Sequence, residues 1–288
     1  MAFSPDRCPN PDCSQHHKPV LGFRRKSFYR IQRLNQWVRR FQCKTCNRTF
    51  SSRTFKPDYQ HKKMDLNNRL ADLLIRGNTL RDSARMIGMT YKNTYNKYLW
   101  LTTQASLIRP KLKWSAKTLQ FDEMETIHHT KCKPLSIALM VNENYQVLSA
   151  QVAEMPAKGR LAAFSRKKYG PRKDERDLVM EQSFGAIKMQ LAKPPEKLMS
   201  DAKASYRKFV INHFPNAEYE VHSRVSKDRH RDRLHEKLKK REFDPIFALN
   251  QRCALLRASI RRLARRSWCT TKRPENLQGH LDLFIVMQ

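Results

Sequence analysis

The sequence predicts an α+β chain of three parts: a cysteine-stapled β-ribbon, a group of short helices, and an α/β domain on a mixed sheet. Three observations predict it. Two close cysteine pairs, Cys8 with Cys13 and Cys43 with Cys46, lie in the first fifty residues. Helical periodicity with capping residues follows from Asp65 to Leu101. Beyond it, strand-like apolar runs come first and then alternate with helical ones. A chain of 288 residues has room for two or three domains.

Charge sets the class of partner. The net charge is +32, from 58 Lys and Arg against 26 Asp and Glu. Solubility of a small domain needs only about 2 to 8 charges, so the excess points to a polyanion, and each phosphate contact releases counterions. No run approaches the length of a membrane span, and MAFSPDRCPNPDC has no apolar core of a signal peptide. The expectation is a cytoplasmic protein with no membrane contact. Seven cysteines in this spacing suit a reducing compartment and a metal better than disulfides. Seven glycines and no Walker or dinucleotide fingerprint argue against a Gly-rich nucleotide loop.

Residues 1–58 read as a zinc ribbon. Cys8 and Cys13 flank PNPD, Cys43 and Cys46 flank KT, and zinc in a structural site takes four thiolates. GFRRKSFYRIQ and QWVRRFQC read as short strands, and NRTFSS as a turn and a returning strand. His16 and His17 are lower-ranked alternatives to a cysteine ligand. A segment this small holds little core, so metal would stabilise it.

Residues 59–105 read as a helix-turn-helix. Leu66, Leu70, Leu73 and Leu74 have helical spacing, with Asp65 as N-cap and Gly77 as stop. Thr79 caps a second helix with Leu80, Ala84 and Ile87 inward. Gly88 makes the turn, and Thr90 caps a third helix with Tyr95, Tyr98 and Leu99 inward. Tyr91, Lys92, Asn93, Asn96 and Lys97 then form the outer face, which carries groups suited to base edges and phosphates. A plain three-helix bundle fits the same pattern; the charge and the ribbon favour DNA.

Residues 112–288 read as the catalytic domain. TLQFDEME predicts a strand ending in acids, and PLSIALMVNENYQVLSAQVAEM two strands around a turn at Asn142 to Asn144. Residues 174–192 read as a helix, KLMSDAKASYRKFV as strand, acid and helix, and AEYEVHS as a short strand. The order suits the mixed sheet of an RNase H-like fold, although periodicity does not choose it over other α/β arrangements. Asp122 and Asp201 each follow an apolar run, and two carboxylates on adjacent strand ends can bridge two divalent cations. Hard oxygen ligands favour magnesium or manganese. A chain with 26 acids offers several such positions by composition alone.

The paired cysteines with CKTCNRTFS, the helix-turn-helix, LQFDEME, LMSDAKASY, and NQRCALLRASIRRLARRS followed by TTKRPENL run along nearly the whole chain. In these blocks the sequence resembles the zinc-ribbon bacterial insertion-sequence transposases, whose RNase H-like domain carries an acidic triad. In that family a helix bears the third acid and a basic residue seven positions later. Here Arg257 holds the basic position and Asn250 the acid's, so the resemblance implies a site of Asp122, Asp201 and Asn250. An amide oxygen can coordinate a hard cation but brings no charge and no base. The departure leaves an active variant, which is favoured, or an inactivated one. Glu236, Glu242, Asp244 and Glu275 are nearby substitutes, and Glu123 would point to the other face of its strand. Glu125, His128 and His129 read as exposed turn residues.

The resemblance implies binding of terminal inverted repeats in double-stranded DNA, with cleavage and strand transfer into a target using two magnesium or manganese ions. It also implies a homo-oligomer on DNA in the bacterial cytoplasm, with the nucleoid. The competing readings are a DNA-binding regulator with a dead catalytic fold and a related metal nuclease. Residues 159–173 read as a basic loop and 224–242 as a mixed-charge helix. Residues 255–268 read as a helix with Leu256, Ile260 and Leu263 on one side and Arg257, Arg261, Arg262, Arg265 and Arg266 on another, where they would meet phosphates. Cys132, Cys253 and Cys269 read as ordinary thiols, and the terminal HLDLFIVMQ suggests a few further native residues.

Overall fold

In a computed structural model the described residues are 3–17, 22–222, 244–264 and 268–288. They form two compact units, Met1–Arg69 and Leu70–Gln288. The readings at Glu236, Glu242, Arg265, Arg266 and the helix over 224–242 lie outside the described residues.

The first unit is a three-stranded antiparallel sheet, β1 (Phe23–Ile31), β2 (Gln36–Cys43) and β3 (Thr49–Ser51). Asn35 turns the chain between β1 and β2 at φ 46, a left-handed conformation that asparagine tolerates. Phe41 and Phe50 pair across β2 and β3 and are buried with Cys8, Cys13 and Cys43, while Phe23 and Phe55 pack against them.

In the second unit, helix α1 (Leu66–Ile75, entered from the first) is followed by α2 (Leu80–Met86) and α3 (Tyr91–Ile108). Thr79 and Thr90 accept from the backbone N–H groups of Asp82 and Asn93, as N-caps do. Two expectations for α3 fail. Lys97 is buried, and Leu99 is exposed. The inner stripe runs through Thr94, Tyr98, Leu101 and Ala105, and Lys97 sits one helical turn from both Thr94 and Leu101. The stripe meets the terminal helix α8 (Pro274–Met287). Their approach is close: a Cβ on Gly279 would lie 2.6 Å from Cβ of Thr102. Gly279→Ala is therefore expected to destabilise the chain by about 1–2 kcal/mol in urea denaturation, because overpacking outweighs the gain in helix propensity. Beside this contact Arg109 donates to Asp282 at 2.8 Å, a pair almost fully withdrawn from solvent.

The five-stranded sheet has β4 (Thr118–His128) at its centre. β5 (Thr130–Asn142) and β6 (Val147–Glu154) extend it antiparallel on one side. β7 (Lys197–Ser200) and β8 (Glu218–Val221) run parallel to it on the other. Helix α4 (Leu161–Tyr169) and α5 (Arg176–Gln190) link β6 to β7, and α6 (Tyr206–His213) links β7 to β8. The expected loop over 159–173 thus contains a helix, tied down where Ser165 donates to the Cys132 carbonyl at 2.6 Å and stopped at Gly170, φ 77.

Side-chain alternation divides β4 between two cores. Leu119 and Phe121 pack with Phe184 of α5 and with Tyr206 and Phe209 of α6. Met124 packs on the other side with Leu249 and Leu256 of α7 (Phe247–Ser259) and with Leu281 of α8. The helix expected over 255–268 ends at Ser259 and gives way to a single 3-10 turn at Arg261–Leu263, although Leu256, Ile260 and Leu263 are all buried as expected. Among the described residues no helix is long and apolar enough to cross a membrane.

Candidate active site

Asp122 is not at a strand end. β4 continues to His128 because its long antiparallel pairing with β5 carries it there. What ends near Asp122 is the parallel pairing with β7, whose last pair is Phe121 with Ser200. One further step of that register sets Asp122 beside Asp201, the first residue after β7. The two residues are therefore neighbours across β4 and β7, near enough for the Asp201 charge to act on Asp122, although Asp122 lies within its strand and not at its end.

Their surroundings differ from those of the other acids nearby. Glu123 points to the opposite face, where Lys203 holds it through a short bond and Arg176 lies 3.7 Å away. Asp174 accepts from Arg176 at 2.6 Å, and Asp177 from Lys208 at 2.8 Å. These arginine and lysine contacts hold the Asp174 and Asp177 carboxyls below the usual carboxylate range. Asp122 and Asp201, among the described residues, form no ion pair at all. Asp122 accepts from the Glu123 backbone at 2.6 Å and from the Tyr206 phenol at 3.1 Å. Asp201 accepts from the Lys203 backbone at 3.2 Å. A carboxylate pair with neutral donors behind it and, among the described residues, no ion pair is a donor set that fits a hard divalent ion.

Burial first, and the Asp201 charge second, push the Asp122 carboxyl up to about 6 from 3.8. Because the folded value lies above the unfolded one, the folded chain holds more protons between them. This group's contribution to stability is best below about pH 4 and worsens as pH rises through 6. At pH 7 the deficit is at most on the order of 3 kcal/mol. Asp122→Asn keeps an acceptor for both hydrogen bonds. It is expected to stabilise the metal-free chain by about 1–3 kcal/mol at pH 7 and by almost nothing at pH 4, read by urea denaturation at both.

Asn250 lies in the first turn of α7, over the same face of β4 as Asp122. Gln120, two residues before Asp122 on that face, anchors the turn: its amide donates to the Pro245 carbonyl at 3.3 Å, and its oxygen accepts from the Leu249 N–H at 2.9 Å. Asn250 donates its amide N–H to Asp244 at 2.7 Å, a bond that does not use its amide oxygen. Arg257 is on the same helix two turns on and is half-buried. Gln120, Lys203 and Tyr206 escaped the sequence reading. Only the nearness of Lys203 and Tyr206 to Asp201 in SDAKASY hinted at the last two.

Of the expected DNA-facing residues, Tyr91, Lys92, Asn93 and Asn96 are exposed on α3, while Lys97 is not. Arg261 is exposed, and the Arg262 guanidinium lies 5.6 Å from the Tyr98 ring centroid. His128 belongs to β4, with Nε2 2.9 Å from the Lys272 carbonyl. His129 makes the turn at φ 63.

In the first unit the sulfurs of Cys8, Cys13, Cys43 and Cys46 all lie within 4.8 Å of one another. Cys8 and Cys46 are 3.6 Å apart, and Cys13 and Cys43 are 3.8 Å apart. Four sulfurs at about 2.3 Å from a tetrahedral zinc stand roughly 3.8 Å apart, so the cluster fits that ion. Burial pushes the Cys8 thiol up to about 12. At Cys43 burial acts the same way, but the backbone N–H groups of Cys46 and Thr45 bring the thiol down to about 7. His16 places Nδ1 2.7 Å from the Cys8 carbonyl, supporting the loop and standing outside the cysteine cluster.

No family model and no curated protein matches this chain. Among solved structures it is similar to a chain of the simian T-cell lymphotropic virus intasome in complex with the PP2A regulatory subunit B56 gamma. The two share 12% identity at a TM-score of 0.24, over 73% of this chain and 72% of that one.

Proposed function

We propose that the chain is a transposase of the zinc-ribbon insertion-sequence type, which breaks DNA at element ends and joins it to a target. The observation that carries this reading is the pair Asp122 and Asp201, neighbours across β4 and β7 and, among the described residues, without an ion-pair partner in a chain of net charge +32. Divalent ions bound there would supply an activated oxygen nucleophile and neutralise the leaving oxygen. Asp122 and Asp201 would hold them through carboxylate oxygens, and Asn250 through its amide oxygen. Tyr206 and the Glu123 N–H orient Asp122, the Lys203 N–H orients Asp201, and Arg257 meets a phosphate of the strand.

In this reading residues 112–288 are an RNase H-like catalytic domain, supported by a sheet of three antiparallel strands extended by two parallel ones. Residues 59–105 are a helix-turn-helix presenting Lys92, Asn93 and Asn96 to the major groove, and residues 1–58 are a zinc ribbon. The protein works as a homo-oligomer on DNA in the bacterial nucleoid. The neutral Asn250 favours a second reading, a DNA-binding regulator with a silent catalytic fold.

The test incubates the full chain with a supercoiled plasmid carrying the DNA that flanks its own gene, with magnesium, manganese or EDTA. Metal-dependent nicks and joined products are expected. Tight binding with no breakage in either metal overturns the enzyme reading and leaves the regulator.

A further inference from the structure

A cavity of about 690 Å³ opens in the second unit between the α2–α3 corner on one side and Arg261, Arg262, residues 268–273 and the start of α8 on the other. Among the described residues six cationic side chains line it: Arg81, Arg85, Arg261, Arg262, Lys272 and Arg273. Asp82, the one carboxylate on the wall among the described residues, already accepts from Arg85 at 3.0 Å.

Aromatic rings accompany the charge. Tyr91, Tyr95 and Tyr98 form a ladder up α3, with centroids 6.3 and 6.1 Å apart and planes inclined by 14° and 29°. Tyr98 is buried at the inner end, with its hydroxyl bonded to the Asn276 carbonyl. Tyr91 is half exposed at the outer end, in the cavity wall, with Arg81 5.8 Å from its ring centroid. Trp268 on the wall is fully exposed.

Cations among stackable rings suit a phosphate that carries a planar base. The volume lies in the range of pockets that enclose one small ligand, and a base inside a duplex cannot enter without leaving its stack. We propose that this cavity receives a single unpaired nucleotide of bound DNA, its base against Tyr91 and its phosphate among Arg81, Lys272 and Arg273. The inference rests on the DNA reading above and deepens it. Tyr91 turns toward the pocket, and Lys92, Asn93 and Asn96 are left for the duplex.

The test measures fluorescence anisotropy of the full chain in EDTA with three probes. These are a blunt duplex of about 20 base pairs, the same duplex with a short dT overhang, and the same duplex with one unpaired internal dT. Wild type is expected to bind one or both of the unpaired probes about tenfold tighter than the blunt one, the two separating a strand end from an extruded base. Tyr91→Ala should erase that preference and leave blunt-duplex binding unchanged, while Tyr91→Phe keeps the preference. Equal affinity of wild type for all three probes overturns the proposal, as does a parallel loss by Tyr91→Ala on all three. Tyr91 is half exposed in the first turn of α3, and circular dichroism of the variant checks its fold. Because no metal is present, a failure of DNA breakage does not affect this outcome. Equal binding by a chain that still breaks DNA removes only the pocket, whereas a chain that binds no probe removes both readings.

Discussion

Asp122→Ala and Asp201→Ala are each expected to lower metal-dependent DNA breakage by about 10³-fold or more, with duplex affinity in EDTA unchanged. Each variant removes one of the two charges that would hold the ions. Several kcal/mol of transition-state stabilisation rest on such ions, and each 1.4 kcal/mol is a factor of ten in rate. The usual objection, that the variant has merely unfolded, is answered by the site itself. Its carboxylates repel one another, and burial already disfavours the charge on Asp122. Asp122→Asn should therefore be inactive and more stable at once, a combination that damage to the fold does not produce. Asn250→Glu restores a charged third ligand and is expected to keep or raise breakage, whereas loss of breakage there would remove Asn250 from the site. Breakage undiminished in Asp122→Ala or Asp201→Ala would end the assignment.

What could be read from the sequence was what is local. Cysteine spacing, the Thr79 and Thr90 caps and the Gly77 stop depend on neighbours a few residues away. The placement of Asp122 depends on a distant event, the end of the short strand β7 some eighty residues later, so the local pattern of TLQFDEME suggests a strand end that the pairing with β5 removes. Lys97 was misassigned for a similar reason. The burial of α3 is decided by α8, and helical periodicity without that partner left the stripe through Thr94, Leu101 and Ala105 undrawn. The opposite orientation of Glu123 was legible because it needs only strand alternation. Its bond to Lys203 was not, because it joins two strands through a loop.

Removing zinc is expected to unfold the first unit. Among its described residues the buried apolar side chains, apart from the cysteines, are Val38, Phe41 and Phe50, far too few to offset the chain entropy of a sheet that size. A structural zinc contributes about 10–16 kcal/mol to such small folds, comparable to or above the whole stability of an ordinary domain. The protein as purified should hold one zinc per chain, measurable by atomic emission. A strong chelator, or Cys43→Ser, should erase amide-exchange protection in β2 and β3, where Phe41 and Phe50 pair. The β4–β5 hairpin, whose core is built from Leu119, Phe121, Leu135, Ile137 and Leu139, should keep its protection. Protection of Phe41 and Phe50 that survives complete metal loss would show that the aromatic cluster closes the ribbon by itself. The short sulfur separations would then be a consequence of that packing and no sign of a bound ion.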